Sequence, residues 1–227
     1  METVSTVIVA GGSGSRFGQK KQFISLGGIP LLVKTVACFD EHPSIEHIIV
    51  VVPQADVANT EKLLRPLKTH HTVVAGGPTR PVSVLNGLRQ ATHSRICLIH
   101  DGVRPFVSPA LIHRVIAGIE GFEACIPGLP VTDTLKEVAG HTVAKTIPRQ
   151  NIYQIQTPQA FFTTSILAAH MKAAGQSDVP TDDSMLIEAT GGAVHLVDGD
   201  PYNIKITLPE DMIFAEAIHA LQDRNRI

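Results

Sequence analysis

Short apolar runs alternate with segments of helical spacing along the first half of the chain, and this order strongly restricts the possible folds. The runs at 7–10, 45–52, 70–75 and 95–99 predict buried strands. Short connections between such strands and helices favour a Rossmann-like α/β fold, with a mostly parallel twisted sheet and helices on both faces. Ligands bind such sheets at the carboxyl ends of the strands. Three loops leave those ends: 11–22, 76–83 and 100–105.

The second half of the chain is less regular. Its patterns predict helices at 109–119, 163–174, 181–189 and 209–221, and short strands at 124–127, 194–197 and 204–206. Residues 131–149 are mostly small, polar or charged, which predicts a protruding β-hairpin arm. No linker interrupts the sequence, so 1–227 is expected to form a single domain that includes this arm.

The composition limits the classes of function. Of the 227 residues, 44% are hydrophobic and 4% aromatic, so aliphatic side chains fill the core. A net charge of −2 argues against nucleic-acid binding and against a polybasic membrane face. Cys38, Cys97 and Cys125 are too far apart for a zinc ribbon, and reduced thiols suit the cytoplasm. Neither a signal peptide nor an apolar run of membrane-spanning length is expected.

The loop after the first strand carries a group of glycines followed by basic residues. Glycines let the backbone approach a ligand closely, and successive N–H groups can bind an anion. The pattern matches neither the dinucleotide fingerprint nor the Walker A motif. A phosphate cradle with cations on its rim is predicted here, and the alternative is an ordinary glycine turn with solvated basic residues. The residues concerned are Gly11, Gly12, Gly14, Arg16, Lys20 and Lys21.

Two further strand ends carry candidate ligand-binding residues. Asp101 follows the fourth strand and can hold a divalent cation or a ribose hydroxyl, because Mg²⁺ needs only one or two carboxylates beside substrate phosphates. The alternative is a turn-capping Asp101 paired with Arg104. His100 is expected to be a packed histidine. The loop with Gly77 and Ser83 can recognise a base or can be a plain turn.

Two later residues have both a functional and a structural interpretation. Strand alternation turns Lys205 away from its apolar neighbours, either toward a substrate or as a solubilising edge-strand lysine. Thr181 precedes a helix and is suited to cap it.

Taken together in this order, the motifs resemble those of the 2-C-methyl-D-erythritol 4-phosphate cytidylyltransferases of the non-mevalonate isoprenoid pathway. The matching segments cover nearly the whole chain and read AGGSGSRFG, KKQF, GGPTR, SVLNGL, HDGVRPFV, PVTDTLK, PRQNIYQIQTPQAF, TDD and NIKITLPED. Two positions depart from the family pattern. The family's basic loop usually reads Pro-Lys-Gln where this chain has Lys20-Lys21-Gln22, and Tyr202 stands where an acidic residue is common.

The resemblance implies a reaction in which CTP and a sugar-alcohol phosphate give a CDP-alcohol and pyrophosphate. It implies Mg²⁺ as cofactor, with Asp101 as metal ligand, and a cytoplasmic homodimer that exchanges the 131–149 arm. The implied catalytic residues are Arg16, Lys21, Lys205 and Arg149. The implied CTP-binding residues are Ala10, Gly11, Gly12, Gly14, Gly77, Ser83 and Asp101. The implied acceptor-binding residues are Thr134, Arg149, Thr157, Thr181 and Arg104.

Two alternatives remain open at this point. Related pentitol-phosphate cytidylyltransferases share the glycine loop and several other motifs, so the acceptor can be ribitol 5-phosphate. A nucleotide-binding module without turnover is the second alternative, although it would not need all four cationic residues.

Overall fold

A computed structural model describes residues 3–12, 17, 20–40, 42–174 and 181–224. The described strands are β1 Val4–Val9, β2 Ser25–Leu26, β3 Ile29–Pro30, β4 Ile45–Val52, β5 His70–Ala75, β6 Ile96–Asp101, β7 Ala124–Pro130, β8 Leu135–Ala139, β9 Thr142–Ile147, β10 Tyr153–Ile155, β11 Gln159–Phe162 and β12 Val194–Asp198. The α-helices are α1 Leu31–Ala37, α2 Val57–Leu64, α3 Arg80–Leu88, α4 Pro109–Ala117, α5 Thr163–Ala173, α6 Ser184–Glu188 and α7 Asp211–Arg224. Two 3-10 helices span Lys21–Phe23 and Gln54–Asp56.

An eight-stranded sheet forms the centre of the fold. Strand β1 lies between β4 and β6 and pairs in parallel with both, and β5 pairs in parallel with β4. Side chains alternate across the sheet. Along β4, for instance, Ile48 and Val50 join one core cluster, while Ile49 and Val51 join the other. Residues of α1, α2 and α4 cover the first face, and those of α3, α5 and α6 cover the second, which confirms the predicted α/β architecture.

The second half completes the sheet in an order that the sequence patterns did not predict. Strand β11 lies between β6 and β7 and is antiparallel to both. Strand β12 pairs in parallel with β7, and β10 pairs with the carboxyl end of β7. A cis peptide bond joins Thr157 to Pro158, between β10 and β11. This arrangement brings the carboxyl end of β6 next to the turn at 156–158.

The strand predicted at 204–206 is absent, and that prediction is wrong. The segment runs as irregular chain, and its backbone groups bind loop residues instead of a strand ladder. The N–H of Ile206 donates to the Val103 carbonyl, and the carbonyl of Asn203 accepts from Arg104. The segment is therefore attached to the loop that follows Asp101.

The predicted arm is present. Strands β8 and β9 form a separate two-stranded sheet and pair only with each other among the described strands. Nearly every residue from 135 to 147 is exposed, including Val138 and Val143. Such a hairpin has little apolar contact with its own domain.

A third core cluster fastens the glycine-loop region to the end of the chain. It contains Leu26 and Leu31 from the beginning of the chain and Ile206, Ala215 and Ile218 from its end. Phe17 and Ile24 pack against the same cluster. Burial of these aliphatic groups holds the segment after the glycine loop beside the segment that carries Lys205. Among the described helices, none is long and apolar enough to cross a membrane.

Candidate functional site

Small residues at the ends of β1, β5 and β6 line one edge of the sheet. The N–H of Gly102 donates to the Val9 carbonyl and the Ala10 N–H to the Val51 carbonyl, so the ends of β6, β1 and β4 lie side by side. The N–H of Gly76 donates to the Val52 carbonyl, which places the end of β5 next to β4. A side chain at Gly102 would clash, because its Cβ would lie 2.7 Å from the Cβ of Ala10. Main-chain groups at this edge can therefore come close to a bound molecule.

Ser83 joins two of these loops. Its Oγ accepts a hydrogen bond from the Gly77 N–H at 3.0 Å and donates to the Thr79 carbonyl, also at 3.0 Å. A Cβ on Gly11 would lie 3.3 Å from the same Oγ. The predicted base-binding residues Ala10, Gly11, Gly77 and Ser83 are thus brought together, with Gly12 next in the chain.

Asp101 lies at the centre of a cluster of cations. Its Oδ2 is 3.0 Å from Lys205 Nζ and 3.4 Å from Arg104 Nε, and its Oδ1 is 3.7 Å from Arg80. Burial alone would raise the pKa of Asp101, but Lys205, Arg80 and Arg104 outweigh that effect and hold the pKa well below its usual value. Asp101 is therefore a carboxylate at neutral pH. It pairs with Arg104, as the structural interpretation expected, and also with Lys205, which the sequence alone did not indicate.

A second buried carboxylate lies behind this cluster. Asp183 accepts from Arg80 at 2.8 Å and from His170 Nε2 at 3.1 Å, and only 1% of it is exposed. Burial acts to raise the pKa of Asp183, whereas the bonds from His170 and Arg80 lower it more strongly. Arg80 consequently lies between two carboxylates, Asp101 and Asp183.

His100 supports the backbone of Asp101. Its Nε2 is 3.1 Å from the Arg104 carbonyl, which can only accept, so this nitrogen carries the proton. Nδ1 then accepts from the Thr157 hydroxyl at 3.0 Å, and that hydroxyl accepts from the Asp101 N–H. Complete burial lowers the pKa of His100 to about 4, so the ring is neutral. The expectation that His100 is a packed histidine is confirmed, and Thr157 is buried beneath the site.

The adjacent lysines of the glycine loop have different surroundings. Lys20 Nζ contacts both carboxylate oxygens of Asp56, at 2.6 and 2.8 Å. Lys21 lies near Asp211, at the start of α7. Burial alone would raise the pKa of Asp211, but the N–H groups of Leu208 and Thr207, the Thr207 hydroxyl and the charge of Lys21 lower it. Lys21 therefore lies near the segment that carries Lys205, through Asp211 and Thr207, whereas the ammonium group of Lys20 is held by Asp56.

The remaining predicted residues lie apart or outside the described part of the chain. Arg16 and Gly14 fall outside the described residues. Arg149 and Thr134 are exposed on the arm, and the described contact of Arg149 is with the Thr132 carbonyl. The hydroxyl of Thr181 donates to Met185 Sδ at 3.0 Å. Within one chain, no described hydrogen bond or ion pair joins these three residues to Asp101.

The oxygen atoms of this site limit how it can hold a divalent cation. Among the described residues, no three His, Cys, Asp or Glu side chains form a metal-binding group. Asp101 Oδ2 contacts Lys205 and Arg104, while the sole contact of Oδ1 with the described part of the chain is that with Arg80 at 3.7 Å, which is longer than a hydrogen bond. One available carboxylate oxygen fits Mg²⁺ that takes its other ligands from phosphates and water.

Several residues of this site were not selected from the sequence. Arg80, Asp183 and His170 occur in separate segments, and only the fold brings them to Asp101. Asn203 was not selected either, although its carbonyl accepts from Arg104 and its amide donates to the Thr157 carbonyl at 2.8 Å. The quoted motifs GGPTR, TDD and NIKITLPED contain three of them, but a motif does not show which of its residues meet.

The parallel sheet, the small residues at its carboxyl edge and the cationic cluster around one carboxylate define an α/β protein of the nucleotidyltransferase type. Comparison with known proteins agrees. The family model for 2-C-methyl-D-erythritol 4-phosphate cytidylyltransferase matches residues 4–220. The chain is 39% identical to the enzyme of that name from Halalkalibacterium halodurans, over 97% of this chain and 98% of the relative. It is 42% identical to that from Syntrophotalea carbinolica, over 95% of each.

Solved structures show the same likeness. The 4-diphosphocytidyl-2C-methyl-D-erythritol synthase of Anaerococcus prevotii superposes with a TM-score of 0.87 at 34% identity, over 96% of both chains. The 2-C-methyl-D-erythritol 4-phosphate cytidylyltransferase of Thermus thermophilus gives 0.81, also at 34% identity, over 97% of this chain and all of that one. The chain therefore belongs to the 2-C-methyl-D-erythritol 4-phosphate cytidylyltransferase family.

Proposed function

We propose that the chain is a CTP-dependent cytidylyltransferase that joins CTP to 2-C-methyl-D-erythritol 4-phosphate, giving the CDP-alcohol and pyrophosphate in isoprenoid synthesis. The observation that carries the proposal is the cluster of Lys205, Arg104 and Arg80 around Asp101, at the strand ends where Gly102 packs against Ala10. Family membership supports the choice of acceptor. No structural observation favours ribitol 5-phosphate or a binding module without turnover.

The reaction joins two anions, so the site has to neutralise charge and align the reacting groups. An oxygen of the acceptor's phosphate monoester attacks the α-phosphorus of CTP. The bond from that phosphorus to the oxygen bridging to the β-phosphate breaks, and pyrophosphate leaves with the electron pair. A phosphate monoester has a second pKa of about 6, so the nucleophile is already ionised at pH 7 and no general base is required.

Each predicted side chain receives a role in this reaction. Lys205 and Lys21 stabilise charge on the reacting phosphates, and Arg16 is proposed to do so from the glycine loop. Asp101 orients Lys205 through its Oδ2 and offers its Oδ1 to the ribose or to Mg²⁺. Bound Mg²⁺ would neutralise phosphate charge. Main-chain groups of Ala10, Gly11 and Gly77 read the cytosine edge.

The acceptor is proposed to be bound partly by a second copy of the chain. Arg149 and Thr134 lie on an arm with few contacts to its own domain, and an isolated two-stranded hairpin is at best marginally stable in water. A twofold-related partner can support the arm and receive these residues in its site. Arg149 then binds the acceptor phosphate in a bidentate manner that Lys would not reproduce. For this homodimer we propose a cytoplasmic location, since Cys38, Cys97 and Cys125 are free thiols.

A pyrophosphate-release assay tests the proposed activity. The purified protein is offered each nucleoside triphosphate with methylerythritol phosphate or ribitol 5-phosphate. Turnover with CTP and methylerythritol phosphate is expected. Turnover with ribitol 5-phosphate alone would replace the acceptor, and no release with any pair would leave a nucleotide-binding module as the better description.

Subunit mixing tests the shared site. Lys205→Ala and Arg149→Ala are each expected to be nearly inactive as homodimers, whereas a verified heterodimer of the two regains activity because one of its two sites carries neither change. Lys145→Ala serves as the control, since Lys145 is an exposed arm residue paired with Glu137 at 2.9 Å. If the verified heterodimer stays inactive, Arg149 does not act across the interface.

A further inference from the structure

Lys20 forms an ion pair with Asp56 at the end of the glycine loop. Lys20 Nζ contacts both oxygens of Asp56, at 2.6 and 2.8 Å. The lysine side chain is half exposed, whereas that of Asp56 is only 11% exposed. In the described part of the chain, Lys20 is the only side chain that bonds to the Asp56 carboxylate. Removal of the lysine would therefore leave a mostly buried carboxylate without its cation.

The backbone at Lys20 has the dihedral angle that a proline would impose. Its φ is −69°, within the range of about −65 ± 15° that the proline ring allows. The Lys20 N–H makes no hydrogen bond within the described residues, so a ring at this position would interrupt none of those bonds. The Lys20 carbonyl accepts from the Phe23 N–H at 3.0 Å and thereby starts the 3-10 helix Lys21–Phe23. The orientation of Lys20 consequently determines the direction in which Lys21 leaves the turn.

The part of the turn that follows Lys20 is fixed by burial and by a backbone hydrogen bond. Gln22 is buried, and the Ile24 carbonyl accepts from the Leu31 N–H at 2.9 Å. Ile24 packs against the third core cluster, and Lys21 lies near Asp211. The ion pair between Lys20 and Asp56 holds the beginning of the turn, because Asp56 is itself fixed beside the first turn of α2.

We propose that Lys20 and Asp56 are positioning residues, whose ion pair holds the turn that aims Lys21 at the triphosphate. Lys20 does not bind the triphosphate itself, because its ammonium group is held by both oxygens of Asp56. This inference rests on the proposed function and adds the means by which one of its cations is oriented. In this chain the ion pair to Asp56, next to α2, takes the place of the rigid ring of a proline.

Steady-state kinetics of pyrophosphate release distinguish positioning from substrate binding. Lys20→Ala and Asp56→Asn are each expected to lower kcat about tenfold with KM for CTP unchanged, since small misplacements of a catalytic group are costly. Lys20→Pro, which restores the backbone constraint without the charge, is expected to recover kcat to within about twofold of the wild type. Lys62→Ala, which removes an exposed charge from α2, is the matched control for lost positive charge.

Asp56→Asn in the Lys20→Pro background provides the decisive comparison. It is expected to have no further effect, because the ring makes the ion pair unnecessary. Three results would each overturn the inference. The first is that Asp56→Asn lowers kcat as much in the Lys20→Pro background as in the wild type. The others are a wild-type kcat in Lys20→Ala and a raised KM for CTP in Lys20→Pro. If the proline variant does not fold, Lys20→Arg takes its place, since it can keep the ion pair. A kcat near that of the wild type then supports the inference, and a tenfold loss overturns it.

Amide hydrogen exchange gives a measurement that does not depend on turnover. The N–H groups of Phe23 and Ile24 bond within the turn, at 3.0 and 3.1 Å. Their exchange is expected to be about tenfold faster in Lys20→Ala and Asp56→Asn than in the wild type and Lys20→Pro. Unchanged exchange in the alanine variant would overturn the inference even if the wild type released no pyrophosphate. Inactivity of the wild type, by contrast, would refute the proposed function alone.

Discussion

Asp183 offers a quantitative test of the buried charges behind the candidate site. The two residues that donate hydrogen bonds to Asp183 differ in exposure, because His170 is buried whereas the Arg80 side chain is 32% exposed. In Asp183→Ala, His170 loses a charge-assisted bond that contributes about 1.5–3 kcal/mol. Arg80 can turn toward solvent, so its lost pair adds only about 1 kcal/mol. The expected loss in free energy of unfolding is therefore about 2.5–4 kcal/mol.

Asp183→Asn separates the two contributions. Its amide oxygen can still accept from His170, while its NH₂ group faces Arg80 and cannot accept. We therefore expect a smaller loss of about 1–2 kcal/mol. Urea denaturation at pH 7.5, with the slope against denaturant checked for constancy, measures both values. Equal losses in the two variants, or a loss below about 1 kcal/mol in Asp183→Ala, would show that the contact between Asp183 and His170 does not stabilise the fold as argued.

Three further predictions concern the site and the outer edge of the sheet. Lys21→Ala is expected to lower turnover about 10²–10³-fold with an unchanged unfolding temperature, as for other electrostatic stabilisers; a loss under threefold would contradict its role. Ser83→Ala leaves the Gly77 N–H without its acceptor, so CTP binding measured by calorimetry is expected to weaken about fivefold. Equal turnover of UTP and CTP by the wild type would refute base reading by the main chain. The pKa of His47 is lowered by burial and by the neighbouring His70, His71 and His93. The unfolded chain therefore binds more protons, and stability falls as the pH drops below about 6.5. Between pH 7.5 and 5.5, urea denaturation is expected to show a larger loss for the wild type than for His47→Gln.

The strands of the first half could be predicted from the sequence because local signals define them. The run at 45–52 is closed by Pro53 and the run at 70–75 by two glycines, and both strands have the predicted bounds. The rule for parallel sheets pointed to the loops at their carboxyl ends. The binding roles of Ala10, Gly11, Gly77, Ser83 and Asp101 came from the family resemblance and stay predictions.

The second half was less predictable because its structure depends on distant partners. Strand β11 was missed, since Gln159–Phe162 is short and continues directly into α5. Alternation suggested a strand around Lys205, but the backbone there bonds to Val103 and Arg104 instead of to a neighbouring strand. The sequence places Asp183 only within the TDD segment at the start of a predicted helix. Its pairing with Arg80, 103 positions away, is a property of the assembled fold.

The insertion of β11 between β6 and β7 has a consequence for synthesis of the chain. Strands β1, β4, β5 and β6 can pair as soon as they have been made, since each contacts another strand of the first 101 residues. The other edge of β6 has to wait for Gln159–Phe162, which is made after α4, β7 and the whole arm. An unpaired edge strand is a template for other chains. While residues 102–162 are being added, this edge of β6 therefore stays open to pairing with other chains.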